Sequence, residues 1–105
     1  MKLQVAIDRV PMERAMEIVK NITSEANIIE IGTSLTKEFG MRALRPVIEA
    51  AEGVAVLGDI KTCDEGKYEF DLGYRCGFSY LTVMGSASMG TLEACARSAA
   101  EHDGL

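Results

Sequence analysis

The feature that most constrains the fold of this chain is the alternation of short apolar runs with longer amphipathic segments. Four runs rich in β-branched residues are predicted as strands, and apolar residues recur at helical spacing between them. Such alternation is typical of βα units around a parallel sheet, so the sequence predicts an α/β fold. The predicted strands cover residues 2–8, 28–32, 54–61 and 78–84, and the predicted helices cover 11–24, 41–51, 64–75 and 88–102. Residues 33–39 are predicted as a loop with a short helical turn.

The composition indicates a single domain over residues 1–105 with an ordinary core, since 48% of the residues are hydrophobic. The formal net charge of −5, without any cluster of Lys or Arg, argues against nucleic acid as a partner. No apolar run approaches the roughly 18 to 20 residues of a membrane span. The chain begins with a predicted strand instead of a signal peptide. We therefore expect a cytoplasmic protein that does not contact a membrane.

Other reactive residue types give weaker signals. Cys63, Cys76 and Cys95 are odd in number and lack the paired spacing of a zinc site, so we expect reduced, mostly packed thiols, with Cys63 buried and unreactive. The only histidine, His102, ends the last predicted helix, where a favourable charge at the helix terminus is its expected role. Segment 85–91 lacks the lysine that completes a phosphate loop, so we expect a turn into the last helix.

Polar residues cluster at the carboxyl ends of the predicted strands. Asp8 follows the first strand, Glu30 lies near the end of the second, and Asp59 and Lys61 end the third. Ligands bind at this edge of parallel α/β sheets and barrels, so these residues form the candidate site. Two structural alternatives stay open: Glu30 as a solvated strand-end residue, and Asp8 as a cap of the first helix.

The most specific motif is Asp59-x-Lys61-x-x-Asp64. Because side chains alternate along a strand, Asp59 and Lys61 are expected on one face, while Asp64 begins the next helix. Two carboxylates around one ammonium can hold a divalent metal, stabilise a developing oxyanion and move protons. The structural alternatives are an ion pair between Asp59 and Lys61, and an N-cap role for Asp64.

Four segments carry a family resemblance: residues 3–8, residues 29–33, the Asp59-x-Lys61-x-x-Asp64 motif and residues 81–85. In order and spacing they resemble the N-terminal half of the 3-hexulose-6-phosphate synthases. That family belongs to the orotidine 5′-phosphate decarboxylase group of TIM barrels, together with the 3-keto-L-gulonate-6-phosphate decarboxylases. The resemblance implies that this chain is the (βα)4 half of a (β/α)8 TIM barrel.

The resemblance also implies an activity and a set of residue roles. The expected reaction is an aldol condensation of ribulose 5-phosphate with formaldehyde through a magnesium-bound enediolate. Glu30 and Asp59 would bind the Mg²⁺, and Lys61 would stabilise the negative charge of the enediolate. Asp8 would hydrogen-bond the substrate, and Asp64 would reach the catalytic site of a neighbouring subunit in a homodimer.

A complete barrel of this type needs about 200 residues or more, so the 105 residues match one half of it. The proton-transferring histidine of the fifth strand and the phosphate loops of the later strands are not among these residues. We expect the first and fourth strands to have unpaired edges at residues 3–7 and 80–84. As a result, we expect the chain either to self-associate or to fold poorly when isolated. Whether the 105 residues are active alone is left open.

Three other functions are considered. One is 3-keto-L-gulonate-6-phosphate decarboxylation, and another is a non-catalytic half-barrel that binds metal or mediates assembly. The third is a flavodoxin-like phosphoacceptor domain, which the acidic residues after the first and third strands suggest. Such a domain needs a second acidic residue beside Asp8 and a fifth strand with a lysine, but Asp8 is followed by Arg9 and no fifth strand is predicted.

Overall fold

The computed structural model describes all residues, 1–105, as five helices and four strands. In chain order the elements are β1 (Gln4–Ile7), α1 (Met12–Ile22), β2 (Ile28–Ile31), α2 (Thr33–Phe39), α3 (Arg45–Glu49), β3 (Ala55–Thr62), α4 (Gly66–Cys76), β4 (Tyr80–Val83) and α5 (Met89–Glu101). The predicted α/β fold is confirmed. No helix has the length and apolar character needed to cross a bilayer.

The four strands form one parallel sheet in the order β1-β2-β3-β4. Each strand therefore pairs with the strand that follows it in the chain, as in a barrel wall. A flavodoxin-like domain would have the order 2-1-3, with the second strand outside the first. The phosphoacceptor alternative is therefore wrong.

One face of the sheet packs against helices, and the other stays partly open. The side chains of Ile29 and Ile31 are fully buried on the helix side, where they meet Val19 of α1 and other core residues. Glu30 lies between the two isoleucines and points to the opposite face, as predicted. Leu57 shares that face and is also only partly buried. The sheet thus has an apolar, covered side and a mixed, uncovered side.

The two outer edges of the sheet differ. β1 has a strand partner on one side only, as expected. The outer edge of β4 was expected to be unpaired, but Leu105 covers part of it. The N–H of Leu81 donates to the carbonyl of Leu105 at 3.0 Å, and the N–H of Leu105 donates to the carbonyl of Ser79 at 3.1 Å.

Two helices differ from the sequence prediction for identifiable reasons. Residues 33–39 form a seven-residue helix, α2, instead of a loop with a turn. The first turn of α2 receives a cap from Asp8, which is distant in sequence. The helix predicted at 41–51 is shortened to α3, which begins at Arg45. Pro46 falls in its first turn, because proline has no N–H to donate and clashes with the preceding helical turn.

The environment of the cysteines is also only partly as predicted. Cys76 and Cys95 are buried, and burial raises the pKa of both thiols, so they stay protonated. Cys63 is exposed, which contradicts the prediction of a buried thiol. It follows Thr62, which is buried and hydrogen-bonded to Glu69, so the alternation of the strand turns Cys63 outwards.

A polar network centred on Asp71 joins α4 to α5. The Ser98 hydroxyl donates to Asp71 Oδ1 at 2.6 Å, Lys67 pairs with Oδ2 at 3.2 Å, and His102 Nε2 lies 3.2 Å from Oδ1. The ring of His102 also stacks on Tyr74. The Ser98 hydroxyl, followed by Lys67 and His102, lowers the pKa of Asp71 to about 2. His102 therefore contacts α4, which the sequence did not indicate.

The low pKa of Asp71 predicts a loss of stability in acid. Its pKa falls from an ordinary 3.8 to about 2 on folding, so its ionised form stabilises the protein above pH 3.8. That contribution should disappear as the pH falls from about 4 to about 2. Denaturant unfolding should show that the free energy of unfolding falls more steeply with decreasing pH for the wild type than for Asp71→Asn. Glu93→Gln, at an exposed carboxylate of α5, is the control and should keep the wild-type slope. Parallel curves for wild type and Asp71→Asn would contradict the prediction.

Candidate functional site

The end of β3 brings Asp59 and Lys61 together with two threonine hydroxyls. The Lys61 ammonium pairs with Asp59 Oδ2, as expected from their shared face. The Thr33 hydroxyl donates to the same Oδ2 at 2.7 Å and accepts from Lys61 Nζ at 2.6 Å. The Thr82 hydroxyl donates to Asp59 Oδ1 at 2.8 Å. Both oxygens of the Asp59 carboxylate therefore have fixed partners.

The backbone of Lys61 is irregular. Its φ of +51° is in the left-handed region, which side chains other than glycine rarely adopt. The irregularity coincides with a bulge, because Gly58 pairs with Leu81 while Thr62 pairs with Val83. The N–H of Lys61 donates to the Thr82 hydroxyl at 3.0 Å instead of to a backbone carbonyl. The bulge thus bends the end of β3 so that Lys61 turns back to Asp59.

The end of β1 is built in a similar way. Asp8 Oδ1 accepts hydrogen bonds from the hydroxyl and from the N–H of Ser34, in the first turn of α2. The Ser34 hydroxyl accepts in turn from the N–H of Arg9 at 2.8 Å, and Arg9 has a φ of +54°. Gly32 lies directly beneath this carboxylate, where any Cβ would overlap it. Asp8 therefore caps α2, and the alternative in which it caps the first helix is wrong.

These two strand ends form the walls of one polar cleft of about 390 Å³. Its lining has two acidic and two basic side chains with two hydroxyls and no apolar residue: Asp8, Arg9, Thr33, Ser34, Asp59 and Lys61. The cleft lies at the carboxyl edge of the parallel sheet, where the sequence predicts the site. Its balanced charges suit a small polar ligand that carries several oxygen atoms.

Glu30 does not line this cleft but lies on the uncovered face of the sheet, one residue before the end of β2. It pairs in register with Leu57, two residues before Asp59 on the neighbouring strand. The two carboxylates are therefore diagonal neighbours on one face. Glu30 Oε2 accepts from the side-chain amide of Gln4 at 2.6 Å.

Asp64 lies outside the cleft. Its carboxylate accepts from the N–H of Glu65 at 2.8 Å, and its carbonyl accepts from the Thr91 hydroxyl at 3.4 Å. α4 begins at Gly66 with Glu65 at the N-cap position, so Asp64 precedes the helix that it was predicted to begin. Within one chain it does not contact Asp59 or Lys61. The role implied for Asp64 in a neighbouring subunit stays a prediction.

The hydrogen bonds at Asp59 keep its carboxylate ionised. Partial burial raises the pKa of Asp59, but the hydrogen bonds from Lys61, Thr33 and Thr82 outweigh burial and bring the pKa below its ordinary value. The site therefore holds a formal carboxylate next to a formal ammonium. Such a pair can bind a cation on one side and an anionic oxygen on the other.

The energetics favour a functional role for this pair over a purely structural one. The side chain of Lys61 is 48% exposed, and an ion pair of this kind contributes at most about 1 kcal/mol to stability. A left-handed backbone at a residue other than glycine costs roughly 1–2 kcal/mol. The strain thus offsets the attraction, and backbone strain of this size is concentrated at functional sites.

Sequence reasoning missed the hydroxyl partners and the glycine of the site. Thr33 and Ser34 lay in a predicted loop, and Thr82 lies between two apolar residues of a predicted strand. Strand alternation offered a partial signal, because Thr82 must face away from Leu81 and Val83. Nothing local indicated that Gly32 lies against Asp8, because the contact joins different strands.

Comparison with known proteins agrees with this geometry. The model of the orotidine 5′-phosphate decarboxylase / HUMPS family matches residues 1–105, the full length of the chain. The chain belongs to this family.

Individual members of the family give the same result. The chain is 36% identical to a 3-hexulose-6-phosphate synthase of Mycobacterium gastri over 98% of this chain and 50% of that protein. It superimposes on the synthase of Salmonella typhimurium with a TM-score of 0.94 and 32% identity, covering 100% of this chain and 50% of that one. A 3-keto-L-gulonate-6-phosphate decarboxylase of Vibrio cholerae gives a TM-score of 0.93 and 28% identity, over 98% and 48% of the two chains.

The chain therefore spans about half the length of the family members that it matches. Its four parallel strands and their helices correspond to half of a TIM barrel, as predicted.

Replacing the glycine beneath Asp8 tests the packing of the cleft. Gly32→Ala should displace the exposed Asp8 carboxylate, because the new Cβ overlaps it, and should lower the free energy of unfolding by about 1 kcal/mol through the loss of its hydrogen bonds with Ser34. Gly90→Ala is the matched control, since the nearest atom to its Cβ is 3.8 Å away, and stability should be unchanged or higher. Denaturant unfolding measures both variants. A Gly32→Ala protein as stable as wild type would contradict the observed contact.

Proposed function

We propose that the protein is an aldehyde-lyase that condenses ribulose 5-phosphate with formaldehyde to a 3-hexulose 6-phosphate in the cytoplasm. In this reaction the sugar loses a proton from the carbon beside its carbonyl. The resulting enediolate carbon bonds to the formaldehyde carbon, and the formaldehyde oxygen takes up a proton. The observation that carries the proposal is the Lys61 ammonium, held on Asp59 in a polar cleft at the sheet edge. The name shared by relatives at 36% and 34% identity supports it.

Lys61 is the residue that would stabilise the negative charge that develops on the sugar oxygens. A preorganised cation contributes most where charge appears only in the transition state. Lys61 meets this requirement because its partners already hold it, so it does not have to reorganise during the reaction. Asp59 would keep the ammonium in place, and Asp8 would orient the substrate by a hydrogen bond across the cleft.

Glu30 and Asp59 would hold a magnesium ion. The donor set fits this ion, since Mg²⁺ prefers hard oxygen ligands and is often bound through one or two carboxylates, with water and substrate oxygens completing its shell. No group of three or more His, Cys, Asp or Glu side chains converges in the chain, so the protein would supply only part of the coordination shell. When bound, the ion would offset negative charge on the substrate.

Two alternatives make different predictions. A 3-keto-L-gulonate-6-phosphate decarboxylase would need the same charge stabilisation, but a relative of that name is 28% identical, compared with 36% for a synthase. A non-catalytic half-barrel would bind magnesium without turnover. Measuring both reactions and metal binding therefore distinguishes the three functions.

We also propose that the protein forms a homodimer or a larger assembly. The uncovered face of the sheet carries apolar side chains, among them Ala6, Leu57 and Tyr80, and β1 has one free edge. Burying apolar surface and pairing a free edge both favour association. Asp64 is exposed outside its own cleft and would act in the site of the partner.

The metal and catalytic roles predict different effects of three substitutions. Glu30→Gln and Asp59→Asn should each weaken magnesium binding in calorimetry, because each removes a carboxylate ligand. Lys61→Ala should leave magnesium binding intact and lower the rate of formaldehyde-dependent consumption of ribulose 5-phosphate by about a hundredfold or more. The assay uses the product of the complete reading frame that contains these residues.

The wild-type protein and Glu93→Gln, at an exposed carboxylate of α5, are the references for metal binding and rate. Unchanged magnesium affinity in both carboxylate variants would remove the metal assignment. Absence of both the synthase and the decarboxylase reactions in the wild type would refute the enzyme proposal.

The assembly proposal predicts a concentration-dependent mass. Sedimentation at micromolar concentrations should show a dimer or larger species, and Leu57→Glu should shift it towards the monomer by charging the uncovered face. A compact, cooperatively melting monomer of the wild type would contradict the proposal.

A further inference from the structure

Two threonine hydroxyls each contact both members of the Asp59–Lys61 pair. Thr33 Oγ1 lies between the Lys61 ammonium and Asp59 Oδ2, at 2.6 and 2.7 Å. Thr82 Oγ1 lies between the Lys61 N–H and Asp59 Oδ1, at 3.0 and 2.8 Å. In both cases one hydroxyl uses its acceptor and its donor at once. Thr33 thus contacts the tip of the Lys61 side chain and Thr82 contacts its backbone.

We propose that Thr33 and Thr82 are positioning residues that hold the Lys61 ammonium in its reactive location. The proposal rests on the function proposed above, in which Lys61 stabilises developing charge. Neither hydroxyl needs to contact the substrate for this role. Thr82 acts on the backbone of Lys61, and Thr33 acts on its ammonium group.

Thr82 would fix the backbone of Lys61. At the bulge the N–H of Lys61 has left the β3–β4 ladder, and the Thr82 hydroxyl is the acceptor that replaces it. Without this acceptor, the Lys61 N–H would have no hydrogen-bond partner, and the free-energy cost of that loss would add to the strain of the left-handed backbone. Because Thr82 lies on β4, the position of this hydroxyl is set by the sheet itself.

The end of β1 supports this interpretation independently. There the Ser34 hydroxyl donates to Asp8 and accepts from the N–H of Arg9, which is also left-handed. Two strand ends of one cleft thus use the same arrangement: a carboxylate, a hydroxyl and the N–H of a left-handed basic residue. At each end the hydroxyl thus accepts the N–H of the left-handed residue and links it to the neighbouring carboxylate.

Thr33 would fix the end of the Lys61 side chain. A lysine side chain has considerable rotamer freedom, and Asp59 alone restrains the ammonium at one point. Thr33 is the first residue of α2, so its backbone is fixed by the helix, and its hydroxyl offers the ammonium a second acceptor. Two acceptors from different elements define a position better than one.

The test compares valine, which removes the hydroxyl but keeps the shape, with serine, which keeps the hydroxyl. Thr82→Val should shift the amide proton resonance of Lys61 and speed its hydrogen exchange by about tenfold, the equivalent of losing one hydrogen bond. Thr82→Ser should restore both signals. Thr23→Val, at the end of α1 and outside the cleft, should leave both unchanged.

In the catalytic assay, Thr33→Val and Thr82→Val should each lower kcat about ten- to a hundredfold with little change in KM, because misplacing a catalytic group weakens the transition state selectively. The serine variants should recover most of the rate. Wild-type kcat in both valine variants, or an unchanged Lys61 amide in Thr82→Val, would overturn the proposal. If the wild type has no synthase turnover, the proposed function fails, and the Lys61 amide still decides whether Thr82 holds this residue.

Discussion

The contact between Lys61 and Asp59 at the end of β3 is the interaction on which the site depends. It exists because a bulge lets Lys61 adopt a left-handed backbone and turn back to the carboxylate. Hydroxyls from α2 and β4 complete the arrangement, so three elements must be in register for it to form. The left-handed backbone costs about as much free energy as an exposed ion pair contributes, so the contact adds little to stability. We therefore interpret the contact as functional.

The parallel sheet sets the relative positions of the strand ends that carry the site residues. Because its strands follow one another in sequence, the ends of β1, β2 and β3 lie along one edge, and Asp8, Glu30 and Asp59 come from neighbouring strands. The helices cover only the opposite side, on which Ile29 and Ile31 are fully buried. One face of the sheet therefore supplies stability, while the carboxyl ends of the strands and the other face stay uncovered by helices.

Much of the fold, and part of the candidate site, could be predicted from the periodicity of the sequence alone. Alternating strands and helices gave the α/β class, and the alternation within 28–32 predicted that Glu30 faces away from the core. The spacing of Asp59 and Lys61 predicted that their side chains share one face, whereas their contact also requires the bulge at the end of β3. These features depend on local geometry, which is the same wherever a strand forms.

The features that could not be predicted depend on contacts between distant segments. The cap that Asp8 provides for α2 joins two distant segments, so the local sequence indicated only a short helical turn within residues 33–39. The left-handed backbone of Lys61 needs the Thr82 hydroxyl, which lies 21 residues away. Local spacing also said nothing of Leu105, which covers part of the β4 edge.

The most direct test of the central claim is to map ligand binding by NMR. Titration of the labelled protein with Mg²⁺ and ribulose 5-phosphate together should perturb the amide resonances of the cleft and its neighbour on β2, with the largest changes at Glu30, Asp59 and Lys61. A second cleft lies at the amino ends of β3 and β4, near Arg45 and Arg75, and its amides should be unaffected. Changes confined to that second cleft, or no changes at saturating ligand, would contradict the assignment of the Asp59–Lys61 cleft as the site.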